Sequence, residues 1–309
     1  MANVSQRVCF VALLCCAVLV QSSRVHAQIV SGVGGEETRQ SVTPEETLET
    51  ARGLGMGMGV RAGVVGTSAL AYNPANLGRV KAYHIDAISG LVAKENAWSI
   101  GTAVADSASS SVAMGTSFRG VFGNGDREYK GWDWRTGLGV QLAKQLGLGI
   151  GIRYAKIKAK RDANDQPIGP KLKAFTMDVS LTATPIEWLS IAALGYNLID
   201  THSVLAPRQV GGSVAIAAIQ SLQLGTDILV DLTSFEDPEL LIGAGIEYFA
   251  ANAVAIRAGY RRDAGRDLHQ ITASLGYVSQ QFGIEAGLRQ GVNDPKETQL
   301  VFSLRYQVQ

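Results

Sequence analysis

From Lys81 onward, apolar and polar side chains alternate along the chain. In the last such stretch Leu300, Phe302, Leu304, Tyr306 and Val308 alternate with Val301, Ser303, Arg305 and Gln307. The stretch before it sets Phe282, Ile284, Ala286 and Leu288 against Gly283, Glu285, Gly287 and Arg289. Further back, Leu222, Leu224, Thr226, Ile228, Val230 and Leu232 alternate with Gln223, Gly225, Asp227, Leu229, Asp231 and Thr233. A repeat of two marks a strand with one dry face and one wet face. It predicts strands over 81–92, 97–106, 111–122, 131–143, 146–157, 173–184, 188–199, 208–218, 221–233, 239–249, 253–262, 268–278, 281–290 and 297–308. These are about 14 segments, most at or above the roughly 9–11 residues that a tilted strand needs to span a bilayer.

The connections alternate as well. Short ones fall near Ser107, Lys144, Pro185, Gln220, Asn252 and Gln280, and longer ones at 123–130, 158–172, 200–207, 234–238, 263–267 and 291–296. The hairpin at 94–96 is an exception. An even strand count puts both ends of a closed barrel on one side and the longer loops on the other, as in outer-membrane barrels. A soluble β-sandwich also alternates. It does not call for so many long strands, nor for Tyr83, Trp98, Trp132, Tyr154, Trp188, Tyr248, Tyr260 and Tyr277 recurring near strand ends on the apolar face, which fits interfacial girdles. The expected fold is an all-β transmembrane antiparallel barrel, with residues 80–309 as the barrel domain.

The wet phase of these strands carries Arg153, Asp178, Asp227, Asp231, Glu247, Arg257, Arg261, Glu285, Arg289 and Arg305. A charge on the lipid face costs about 2–4 kcal/mol at mid-membrane, so they are expected to face the lumen as a ladder of paired charges. The functional alternative is a polar permeation path or a seat for a plug. The mixed signs argue against a strongly ion-selective ring. Glycines on the same phase (Gly147, Gly149, Gly151, Gly243, Gly245, Gly283 and Gly287) either ease strand bending or admit backbone or ligand against the wall.

The chain before Lys81 reads differently. Residues 1–27 have the form of a secretory signal: Arg7, an apolar run over 8–20, and Val25-His26-Ala27 as a cleavage site. Residues 28–79 are expected to form an N-terminal plug. Within them, Thr43-Pro44-Glu45-Glu46 predicts a helix start, with the helix running to about Arg52 and stopping at Gly53. A Gly-rich stretch, 53–59, follows.

Composition narrows the chemistry. Mean hydropathy is +0.10 with 35 glycines, and no segment after the signal has an apolar run long enough to span as a helix. Cys9, Cys15 and Cys16 all lie in the signal, so the mature chain is expected to lack disulfides, thiol catalysis and cysteine metal sites. Histidine is too sparse for a metal cluster, and no cofactor is implied. Removing Arg7 and Arg24 takes the net charge from +1 to −1, which gives no sign of nucleic acid as a partner. His84 and Asp86 share the wet face of the first strand, where they are placed to orient each other, but no nucleophile is identifiable near them. The chain is read as a non-enzyme. Gly55, Gly57 and Gly59 do not make a nucleotide fingerprint, since no strand precedes them and no long helix follows.

The segment Gly53-Leu54-Gly55-Met56-Gly57, followed by Val65-Gly66-Thr67-Ser68-Ala69-Leu70-Ala71-Tyr72-Asn73-Pro74-Ala75-Asn76-Leu77, resembles the N-terminus of FadL-type outer-membrane transporters and of their PorV/PorQ-type relatives. The likeness covers 53–79 in motif and 80–309 in architecture. It implies a 14-strand barrel in the bacterial outer membrane with the N-terminal segment folded inside as a hatch. Asn73, Pro74, Ala75 and Leu77 carry the plug motif, with Asn76 where the family has Gly. Asn73 before Pro74 reads plainly as a turn; the likeness adds a role for the Asn73 amide in tying the plug to the inner wall. Implied partners are outer-membrane lipids and a small hydrophobic solute. The alternative is a non-transporting scaffold that meets secretion-machinery proteins. The loop around 156–173 (Lys156, Lys158, Lys160, Arg161, Lys171, Lys173) departs from a greasy capture groove and suits anionic lipid phosphates instead.

Overall fold

The computed structural model describes residues 49–124, 128–161, 164, 171–293 and 296–308. The signal at 1–27 and the predicted helix start at 43–46 lie outside them. Two short helices, α1 (Ala51–Gly55) and α2 (Ser68–Tyr72), and a 3-10 turn (Pro74–Arg79) precede the strands. The strands are β1 (Tyr83–Val92), β2 (Ala97–Asp106), β3 (Val112–Gly123), β4 (Tyr129–Ala143), β5 (Leu146–Ala159), β6 (Leu172–Ile186), β7 (Leu189–Tyr196), β8 (Gln209–Ile219), β9 (Leu222–Asp231), β10 (Glu239–Ala250), β11 (Val254–Asp263), β12 (Leu268–Val278), β13 (Phe282–Gly291) and β14 (Thr298–Val308).

Each strand pairs antiparallel with its sequence neighbours, and β1 closes on β14 from Tyr83 opposite Val308 to Val92 opposite Gln299. The closed ring leaves no sheet edge. Side chains divide by strand phase. Ile100, Met114, Leu138, Ile150, Leu275 and Ile284 are exposed on the outside, while the alternate positions are buried inside. So broad an apolar exterior is dry only against lipid.

A barrel of about eight strands is filled by its own side chains. With 14 strands the lumen is wider, and here residues 49–82 fill it. Leu54, Met56, Val60, Val64, Ala69, Leu70, Tyr72 and Leu77 are buried there. The backbone turns sharply at Gly57 (φ +59°) and Met58 (φ +73°), the left-handed region that glycine enters freely.

Two expectations need correction. The backbone at Thr50 is extended (φ −95°, ψ 156°), so no helix runs through it to Arg52. Thr50 is instead the N-cap of α1, its hydroxyl accepting from the Gly53 amide at 3.1 Å, and that helix continues through Gly53 to Gly55. Strand β7 stops at Tyr196 rather than 199, because Asn197 adopts φ +49°, which breaks the pleat. The Asn197 amide N–H then donates to Asp178 at 2.8 Å and its side chain to the Pro207 carbonyl at 2.8 Å, starting a loop that folds over one end of the lumen.

Candidate functional site

The inner segment is held by ion pairs that cross from it to the wall. Glu49 accepts from Arg289 at 2.7 and 2.9 Å and lies 3.5 Å from Arg261. Arg52 meets Glu247 at 2.8 and 3.1 Å and reaches Gln223 at 3.2 Å. Arg61 donates to Asp227 at 2.7 Å and to the Tyr196 hydroxyl at 2.9 Å. Asp227 also accepts from the backbone amides of Val60 and Arg61. The Arg61 guanidinium lies over the rings of Tyr72 and Tyr196, at 5.5 and 5.4 Å, within cation–π range. Tyr196 in turn donates to the Tyr72 carbonyl. Burial, and then the nearby Glu49 carboxylate, push the Tyr72 phenol above its ordinary range, so it stays a neutral partner for the Thr50 amide.

The plug motif packs on the glycines of β4 and β5, with Pro74 against Gly139 and Ala75 against Gly147 and Gly149, and hydrogen-bonds to β6. Asn73 is fully buried; its amide nitrogen donates to the Thr182 hydroxyl at 2.8 Å and to the Arg61 carbonyl at 2.7 Å. Its carbonyl oxygen accepts from the Ala75 amide at 3.2 Å, so the same side chain caps the 3-10 turn that Pro74 begins. The Ala75 amide also donates to Ser180 at 3.0 Å. Asn76, where the resemblance has glycine, donates to the carbonyls of Arg61 and Ala62 and so folds the segment back on itself. Leu77 packs in an apolar cluster with Leu70, Tyr72 and Ala113.

Wall glycines let backbone press on backbone. A Cβ on Gly225 would overlap the Gly59 carbonyl oxygen, and one on Gly243 would overlap that of Gly57.

The remaining predicted residues pair within the wall. Arg153 donates to Asp133 at 2.6 Å. Arg257 bridges Glu247 at 2.5 Å and Glu285 at 2.6 Å. Arg305 meets Asp86 at 2.9 Å and lies 3.8 Å from Glu285. Asp178 holds Asn197, and Asp231 caps the loop after β9 by accepting from the Thr233 and Ser234 amides at 3.0 Å. Arg257, Glu247 and Glu285 thus form one linked cluster that Arg52 joins from the plug. Sequence reasoning missed Glu49, Arg52 and Arg61, which have no periodic context, and missed the hydroxyls of Thr182, Ser180, Tyr196 and Ser213 (the last accepting from the Ala62 amide at 2.8 Å and donating to Asp227), which carry no charge to mark them. His84 and Asp86 do not orient each other. Asp86 is taken by Arg305 and Thr67, and neither ring nitrogen of His84 has a hydrogen-bond partner among the described residues.

Between the segment and the loop end of the barrel lies a cavity of about 90 Å³. Its lining mixes apolar residues, among them Met58, Tyr72, Val204, Leu229 and Leu241, with the charged side chains of Glu49, Arg61, Arg135, Asp178, Arg261 and Arg266.

No protein-family model matches the sequence, and neither does any curated protein sequence. Solved structures do match in shape. The CymD monoaromatic hydrocarbon channel superposes with a TM-score of 0.60 at 12% identity, covering 84% of this chain and 97% of its own. The chain has the FadL-type barrel fold. The Ralstonia pickettii toluene transporter TbuX gives a TM-score of 0.59 at 13% identity over 84% of this chain and 97% of its own. A FadL homologue of Pseudomonas aeruginosa gives 0.55 at 10% over 87% and 98%. At such identities the FadL-type likeness is one of architecture, and function has to be argued from the site.

Proposed function

We propose that this protein is an outer-membrane channel for small hydrophobic solutes whose closed state is maintained by its own residues 49–82. The carrying observation is the barrel lumen filled by that segment, in a fold that solved hydrocarbon channels share. The turn end of the barrel, where β1 begins and β14 ends, faces the periplasm, and the loop end faces outward. Solute arrives at the loop end and meets the cavity above Met58 and Tyr72. At about 90 Å³ the cavity is smaller than the ~150 Å³ void that accommodates benzene, so occupancy requires Met58 or the loop around Val204 to move. Passage requires more: the segment must shift within the wall, through release of its ion pairs at Glu247, Asp227 and Arg289. Each of those wall charges keeps a partner in the wall as it lets go: Glu247 keeps Arg257, Asp227 keeps the Ser213 hydroxyl and Arg289 keeps the Gln299 side-chain carbonyl.

Uptake of a radiolabelled monoaromatic solute by cells with and without the gene tests this. Faster uptake with the gene supports a channel. Unchanged uptake beside lost surface proteins points to a secretion scaffold instead.

A further inference from the structure

On three adjacent strands the outward residue two positions beyond an aromatic, toward the loop end, is a lysine: Lys130 beyond Trp132 on β4, Lys156 beyond Tyr154 on β5, and Lys173 beyond Phe175 on β6. Lys158 lies two further along β5. The strand register sets Lys130 directly opposite Lys158 and Lys156 directly opposite Lys173. Their outward direction is fixed, because the intervening residues Tyr129, Ala155, Ile157, Leu172 and Ala174 are buried in an apolar cluster inside the barrel.

Like charges directly opposite on one face destabilise a strand pair. A closed barrel has no edge to protect, so edge protection does not explain them. Lys160 is paired with Glu128 at 2.5 Å, whereas Lys130, Lys156, Lys158 and Lys173 form no ion pair with any described residue. The aromatic row beneath them marks a membrane interface: the rings of Trp132 and Tyr154 are 5.2 Å apart, and Phe118 lies 5.8 Å from Trp132. Two residues of strand rise lift the lysine row about 6–7 Å above those rings, into the headgroup layer.

We propose that Lys130, Lys156, Lys158 and Lys173 form a docking site on the outer wall for a phosphate-bearing lipid headgroup. Each phosphate would neutralise an opposed lysine pair, and the acyl chains would lie along the aromatic and aliphatic belt below. The proposal rests on the membrane placement given above but not on the solute.

The full-length protein is reconstituted in phosphatidylcholine bilayers doped with phosphatidic acid, and lipid retained by the barrel is read by native mass spectrometry. The unchanged chain is expected to retain phosphatidic acid over phosphatidylcholine. The preference should fall about fivefold for each lysine replaced by glutamine. It should survive replacement of the same lysines by arginine, and survive Lys144→Gln at the turn end. Equal retention by K130Q/K156Q/K158Q/K173Q overturns the site. Loss of the retained lipid to millimolar inorganic phosphate assigns the lysines to a soluble anion and overturns the lipid reading. If the glutamine chain does not insert, amine acetylation of the unchanged chain decides. Protection of Lys156, Lys158 and Lys173 by phosphatidic acid relative to Lys144 supports the site, and equal modification overturns it. Failure of the unchanged chain to enter phosphatidylcholine alone would count against the membrane barrel and not against the lysines.

Discussion

Arg61 and Asp227 meet at 2.7 Å across the boundary between the inner segment and the wall, and both side chains are nearly inaccessible to water. The same carboxylate also accepts from Ser213. A buried pair of this kind is a poor source of net stability, but removing one partner strands the other charge.

Asp227→Asn should therefore loosen the segment, at a cost of about 3–5 kcal/mol, because Arg61 stays buried without a counter-charge. Arg61→Met with Asp227→Leu should cost clearly less than either single change. Urea unfolding in lipid vesicles checks both, and a double change as costly as the sum of the singles would contradict the coupling.

At Gly225 the prediction is steric. Any Cβ overlaps the Gly59 carbonyl, so Gly225→Ala should displace the segment and raise the open probability in a planar bilayer. Gly212→Ala is the control, since its new methyl would meet only the Ala192 carbonyl at 3.4 Å, ordinary contact.

Asn73→Ala removes a donor to Thr182 and leaves buried groups unpaired, a loss of about 1–3 kcal/mol. Asn73→Asp should be worse, since it sets a carboxylate against the Arg61 carbonyl that Asn73 now donates to. Protease cleavage within 49–82 should rise in that order. Equal resistance in all three chains would show that Asn73 is only a turn residue.

Ile150 lies on the outer face of β5, midway between its turn end at Leu146 and the interfacial Tyr154, and Leu142 lies near the turn end of β4. Ile150→Lys should cost about 2–4 kcal/mol and Leu142→Lys about 0–1 kcal/mol in bilayer folding experiments. Equal costs would deny the outer face its lipid.

The barrel was legible in the sequence because alternation is a local property: each strand announces both its faces, and all the predicted strands are present within a few residues. Asn73-Pro74 was legible as a turn with a polar side chain to place. The seat was not, because it depends on the path the segment takes through the lumen. Nothing near Arg61 in sequence identifies Asp227 as its partner, 166 residues on. The helix expected to end at Arg52 failed for a related reason. Thr50 caps a turn that tolerates Gly53 and Gly55 because the wall packs around it, with Ser274 against Gly55. Alternation alone carries β7 past Tyr196, since a lone Asn197 bears no periodic mark of its left-handed backbone.

Bilayer conductance of the chain with and without residues 28–79 tests the closed, self-filled barrel most directly. The intact protein should insert and pass little current, and the shortened one should insert and hold a steady open pore. Equal conductance from the two inserted proteins would contradict a lumen kept shut by its own N-terminal segment.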